Sequence, residues 1–446
     1  MVDDETIDRV SAIESGTATA EERRRVVRNL VRSAANPQAS ASVRDFEGTS
    51  RPAERDYDRA LASLLAKVQT AATSIDRERQ DAAPLVEELL ALPEGQQTLV
   101  ATNHRRYHTW SVSERLQELS LEAGPEDPAR AVRLARLALQ IAKRAEVAPA
   151  SERLRHDLEI AAQAQLGNAL RLGGQLVDAE LAFRQASELL AAGTGDPLVE
   201  GKMLALYAAL RNEQSRYRDA EVFARRAFSL FGKIGDHHQQ GRSLFTLANA
   251  LAFDGRVDEA LEVLDRARNL IDETREPRAI WGAIHNAVNY LVEAGRFAEA
   301  EVRYVEDVQV ARRLGLSPLN ELRLRWVGSR IALGLGRHEE ADPEMRAVVA
   351  GFVERGYTME AATAALELAV SLAERRQWSE VRELAGMLVP VFSSQEVEPE
   401  ALAALAVFRD AVLAETVEVA VVREVLAFLQ RVDRDPTARF RPASTS

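Results

Sequence analysis

Apolar side chains recur along this chain at helical spacings of three and four, and the pattern itself repeats at a longer interval. Between residues 57 and 92, Leu61, Leu64, Leu65 and Val68 mark an apolar stripe that predicts one or two helices. Further on, a small residue early in each second helix anchors the longer period. The anchors are Ala179, Ala220, Ala260, Ala300, Ala341 and Val381, separated by 41, 40, 40, 41 and 40 residues. Five residues before them stand Gly174, Ser215, Gly255, Gly295, Gly336 and Arg376, a position that predicts the turn between two helices.

Side-chain size follows the same register. Twelve residues before the anchors stand Gly167, Ala208, Ala248, Val288, Ser329 and Ala369, mostly small, which lets paired helices approach closely. Large apolar residues recur three before the anchor (Leu176, Tyr217, Val257, Phe297, Trp378) and four after it (Phe183, Leu264, Tyr304, Met345). They are expected to fill the core between hairpins. Two places break the pattern: Arg211 stands where its neighbours have Leu170 and Leu251, and Asp307 where they have Ala186 and Ala267. These two hairpins are expected to pack less regularly.

The segments LGNALRLGGQLVDAELAFRQA and LANALAFDGRVDEALEVLDRA resemble the tetratricopeptide repeat family, with its Leu-Gly and Tyr-like positions followed by Ala, Phe and Ala. The period of 40 to 41 exceeds the family norm of ~34 residues, as in its long-helix branch. The resemblance implies an all-α fold, a right-handed α-solenoid of helical hairpins preceded by a helical N-terminal region. The expected organisation is a mostly flexible segment over 1–46 with one short helix, a linker over 47–56, and an N-terminal helical region over 57–150. The repeat superhelix follows over 151–446. Arg130 to Ala145 reads as the second helix of an irregular first repeat, and Glu400 to Leu413 and Val417 to Val432 as capping helices.

The first 56 residues are rich in polar and small side chains, and Pro37, Gly48 and Pro52 interrupt any long helix. One short helix is expected from Thr19 or Ala20 to Arg32. The stretch TATAEERRRVVRNLVRSAANPQA resembles the zinc-binding module of anti-sigma factors, which ends a helix with His, then Cys four residues on and another three after that. Here those places hold Asn29, Ser33 and Asn36, none a usual zinc ligand, so the resemblance implies a module without its metal.

Composition narrows the functions. Across 446 residues, 57 Lys+Arg against 69 Asp+Glu give a net charge of −12, which argues against a protein that tracks nucleic-acid phosphates. Zero cysteines exclude thiolate nucleophiles and Cys-ligated zinc. No apolar run reaches the ~18 residues of a membrane span, and the acidic start MVDDETIDRV shows no secretory signal, so a cytoplasmic, bacterial-type location is expected. The glycine-bearing stretches Gly334 to Arg337 and Ala191 to Pro197 fall on repeat turns rather than on phosphate-binding loops. His338-Glu339-Glu340 stops short of a metalloprotease motif. Asn103 to Trp110 (NHRRYHTW) is the one compact basic and aromatic cluster, and packing of Tyr107 and Trp110 onto the first helices accounts for it. The chain is therefore read as no enzyme and as needing no cofactor or metal.

In such a stack the first helices line a concave face. The residues expected there are Lys202, Arg242, Phe245, Asn249, Phe253, His285, Asn289, Arg323, Trp326 and Arg330. Asparagine carries a donor and an acceptor for a peptide backbone, arginine forks onto carboxylates, and aromatics give anchor area. These residues predict a scaffold or adaptor, regulatory in role, that binds a peptide or protein segment of acidic character. The alternative is a regulator that senses a small ligand or signal peptide and changes shape on binding it.

Overall fold

A computed structural model describes residues 52–124, 126–146, 152–388, 405–406, 408–409, 412 and 419–432. The helix expected over 19–32, Asn29, Ser33 and Asn36 lie outside these residues, as does most of the helix expected over 400–413. All regular structure among the described residues is helical. The chain opens with α1 (Pro52–Leu90), α2 (Glu94–Asn103), a single 3-10 turn (Arg105–Tyr107), α3 (Trp110–Ala123) and α4 (Pro128–Ala142). Six hairpins follow: α5 (Glu152–Leu172) with α6 (Leu176–Leu189), α7 (Pro197–Glu213) with α8 (Tyr217–Lys233), and α9 (His237–Phe253) with α10 (Val257–Leu270). The remaining three are α11 (Pro277–Glu293) with α12 (Phe297–Leu314), α13 (Pro318–Gly334) with α14 (His338–Glu354), and α15 (Thr358–Glu374) with α16 (Trp378–Met387). Helix α17 (Val419–Val432) closes the described chain.

Each anchor residue lies in the first turns of a second helix and is buried, from Ala179 to Val381. A larger side chain would force the helices apart, and Gly167 shows how little room there is. A Cβ at Gly167 would come within 2.8 Å of the Phe183 ring. At the open ends of the hairpins, sizes compensate. Gly201 faces Phe231, Gly241 faces Ile271, and in the next hairpin the bulk changes side, with Trp281 and Ala311 in the same two places. Volume is held constant while its source alternates between helices, as close packing requires.

The turn inside each hairpin is the same structure six times. The residue five before the anchor takes a left-handed conformation, with φ of 71° at Gly174, 83° at Gly255, 71° at Gly295 and 75° at Gly336. The next residue donates its N–H to a carbonyl five residues back, as in Arg256 to Leu251 at 2.8 Å and Gln377 to Leu372 at 2.9 Å. This is the Schellman closure of a helix C-terminus. Ser215 (φ 56°) and Arg376 (φ 60°) adopt it without the freedom of glycine, so the turn is imposed there by the packed helices on either side.

The hairpins divide into two compact units, one with residues up to Leu206 and Ser229–Asp236, the other with Tyr207–Phe228 and the residues from His237 on. In the first, Leu89, Tyr107, Leu116 and Ile141 are buried together. The NHRRYHTW cluster is structural here. The Tyr107 hydroxyl accepts from Arg106 at 2.6 Å, the Trp110 indole donates to Glu78, and Arg105 pairs with Glu146 at 2.6 Å.

In the second unit, an arginine at the N-cap of successive second helices ties each hairpin to the one before. Arg256 reaches Glu259 three residues on (2.7 Å) and Glu221 of the preceding hairpin (2.7 Å). Arg296 repeats this with Glu299 (2.7 Å) and Asp258 (2.5 Å), and Arg337 with Glu340 and Glu301. Single exposed pairs contribute ~0–1 kcal/mol, so these bonds set register more than they supply stability.

Two substitutions test the turn argument. Arg376→Gly, and Ser215→Gly more weakly, relieve left-handed strain and should raise stability in urea unfolding by up to ~1 kcal/mol. Gly255→Ala should lower it by ~1 kcal/mol or more.

Candidate peptide-binding face

Nine of the ten candidate residues lie in the second unit, on α9, α11 and α13, while Lys202 is an exposed residue of α7 in the first. The nine stand on three successive first helices, and most of them are engaged with neighbouring side chains. On α9, Arg242 holds both carboxylate oxygens of Glu276 at 2.8 Å. Phe245 is half-buried against the core, and the Asn249 side-chain oxygen accepts from the Tyr290 hydroxyl. Phe253, at the end of α9, is 39% exposed and stands between the rings of Tyr217 (5.8 Å) and Tyr290 (6.5 Å).

On α11, the His285 imidazole stacks on Trp281 at 4.7 Å, and its Nδ1 hydrogen-bonds Oδ2 of Asp307 on α12 at 2.9 Å. Asn289 spends its amide N–H on the backbone carbonyl of His285, 3.0 Å away. On α13, Arg323 pairs with Glu360 of α15 at 2.9 Å, and Trp326 donates its indole N–H to Glu367 of α15 at 2.8 Å. Arg330 bridges Glu293 of α11 at 2.6 Å and Glu367 at 3.1 Å.

Residues 201–273 match the model of the tetratricopeptide repeat family. This part of the chain carries tetratricopeptide repeats. Among solved structures the chain is similar to a Signal Transduction ATPase with Numerous Domains (STAND) protein from Pyrococcus horikoshii that has a tetratricopeptide repeat sensor. That likeness has 14% identity, covers 82% of this chain and 54% of that one, and reaches a TM-score of 0.52. Aspartyl phosphate phosphatase F from Bacillus subtilis is 12% identical, with 85% of this chain and 96% of that chain covered and a TM-score of 0.49. A Rap protein complexed with Competence and Sporulation Factor is 14% identical, with 79% and 99% covered and a TM-score of 0.43. Identities this low speak of fold alone. No curated protein matches the sequence.

The arginines among these residues are already paired. Arg242, Arg323 and Arg330 each meet a glutamate lying 34 to 37 residues away, about one repeat along the chain. Successive first helices therefore carry complementary charges, and the arginines serve as ties between repeats. Glu276, Glu293, Glu360, Glu367 and Tyr290 were missed when repeats were compared one column at a time. Their signal is an acidic or phenolic residue offset by one repeat from a basic or amide one.

The two departures from the repeat pattern each meet a local partner. Arg211 lies with its guanidinium 4.4 Å from the Tyr207 ring centroid and donates to the Tyr207 hydroxyl at 2.6 Å. Tyr207 in turn stacks on Phe223 at 4.8 Å. Asp307 is 0% exposed and answered by His285. The turns beside them keep the common geometry, with Arg216 to Arg211 and Arg296 to Leu291 both at 2.8 Å. Each foreign polar group has a local partner, Tyr207 for Arg211 and His285 for Asp307, while Oδ1 of Asp307 stays buried without a hydrogen bond.

Among the described residues, no group of three or more His, Asp or Glu side chains is arranged to hold a metal ion. Burial raises the phenol of Tyr290, and it pushes that of Tyr304, which donates to the Leu324 carbonyl at 3.0 Å, up to about 12 from 10.0.

Two predictions follow from these buried groups. Asp307→Ala strands the His285 N–H and should cost ~1–3 kcal/mol, whereas the Asp307→Ala, His285→Leu double variant should regain most of it; a double-mutant cycle by urea unfolding measures the coupling. Because folding favours the protonated phenol of Tyr304, its stabilising contribution is complete below pH ~10 and is lost as pH rises through about 12. Tyr304→Phe should flatten that alkaline loss, read from melting temperature against pH.

Proposed function

We propose that this protein is a non-catalytic interaction scaffold that binds an extended peptide or protein segment on the first-helix face of its second unit. The observation that carries this reading is the preformed edge at Phe253. An aromatic ring is left more than a third exposed while Tyr217 and Tyr290 brace it, and Asn249 and Tyr290 hold each other one turn away. A rigid, braced aromatic with polar neighbours costs little ordering entropy on binding and offers anchor area. Tetratricopeptide hairpins supply such faces from rigid helices rather than loops. A cytoplasmic regulatory role is part of the proposal. Among the described residues, no helix is long and apolar enough to cross a membrane.

A second reading, a ligand-sensing regulator, is favoured by the ties between successive first helices. They are polar bonds, which a ligand can exchange without uncovering apolar core. The tetratricopeptide sensor of the STAND protein is an example of such a role in another chain.

The test is affinity capture with the wild-type chain and a Phe253→Ala variant, both checked for equal melting temperature. A partner held by the wild type and released by the variant supports the face. Equal capture by both rejects it. X-ray scattering with the captured partner then separates the two readings: compaction on binding belongs to the sensor, unchanged dimensions to the scaffold.

A further inference from the structure

Three first helices bring charges of unequal number to one place. Arg330 of α13 donates to Glu293 of α11 and forms an ion pair with Glu367 of α15, so one guanidinium serves two carboxylates. Its side chain is 15% exposed and that of Glu367 11%, while that of Glu293 remains 41% exposed. The other Glu367 oxygen accepts from the Trp326 indole, and the guanidinium carbon lies 5.9 Å from the centroid of that ring. Glu293 uses one oxygen on Arg330, and its second makes no hydrogen bond or ion pair among the described residues.

Neighbouring pairs do not repair the imbalance. Arg323 is matched by Glu360, and Glu276 is already met by both Arg242 and His238. The place one repeat beyond Arg330, where a second cation would balance the count, holds Val370, which packs against the core. A nearly buried carboxylate without a full counter-charge is costly. Burial holds the Glu367 carboxyl above the usual carboxylate range, Arg330 and Trp326 pull it back without cancelling the rise, and Glu293 adds to it.

We propose that this triad is the recognition point for a basic side chain, lysine or arginine, of the segment bound on the first-helix face. The proposal rests on the peptide-binding reading above and reverses the sign of partner that a list of arginines suggests. An incoming ammonium or guanidinium completes a two-to-two arrangement, meeting the open Glu293 oxygen beside Glu367 and the Trp326 ring. An aspartate or glutamate at the same place meets two carboxylates and is rejected, so the triad selects by repulsion as well as attraction.

The test is selection of a phage-displayed random peptide library on the full chain, with Phe253→Ala as the control for face-dependent binders. Face-dependent binders should share a lysine or arginine at one fixed position, and a synthetic binder with glutamine there should bind about tenfold more weakly. Glu293→Gln should weaken the basic peptide by a similar factor at unchanged melting temperature, and Glu293→Lys should shift selection toward aspartate or glutamate. Face-dependent binders with no shared basic residue, or with an acidic one, overturn the triad proposal and leave the peptide reading standing. Absence of any face-dependent binder overturns both.

Discussion

The close approach of one helix to the next at a small residue is the constraint on which the rest of this structure depends. A helical hairpin cannot bury its own apolar stripe, so each one needs a neighbour at a set distance. That distance is held by Ala179, Ala220, Ala260, Ala300, Ala341 and Val381, all buried. Once it is set, bulk can move from one helix to the other, as between Gly201 with Phe231 and Trp281 with Ala311, without changing the spacing. The left-handed turns follow from the same constraint, strongly enough that Ser215 and Arg376 accept a conformation that glycine takes freely.

Equal spacing also gives polar groups a repeating set of neighbours. In the second unit, N-cap arginines find an acid in their own helix and another in the hairpin before, and arginines of the first helices find glutamates about one repeat away. Where a buried polar residue breaks the pattern, its partner lies on the facing helix or one turn away, as with Asp307 and His285 or Arg211 and Tyr207. Both exceptions gain a local partner, though Oδ1 of Asp307 is left without one. In the Arg330 triad one little-exposed guanidinium serves two carboxylates, and the surplus charge opens to solvent through Glu293.

A face built this way has two kinds of resource for recognition. Its aromatics, with Phe253 most exposed, are braced by other rings and keep their shape without a ligand. Its charges are already paired, so a bound segment must exchange pairs or complete an unfinished one. Specificity then depends less on how many basic residues the face carries than on where pairing is incomplete.

The sequence by itself determined the fold class, the six anchors, the turn positions and the helices that carry the candidate residues. Each of these is a periodic property of a single chain, since a residue's place in its repeat decides which side of its helix is buried. The N-cap arginines, the Asp307–His285 pair and the glutamates facing Arg242, Arg323 and Arg330 were decided by tertiary structure. These depend on which side chains from different repeats meet, and a register that compares like positions in successive repeats is blind to contacts between unlike ones. Ten residues on first helices could be named from spacing alone, but their net charge could not, because it is shared with partners that stand in other columns of the repeat.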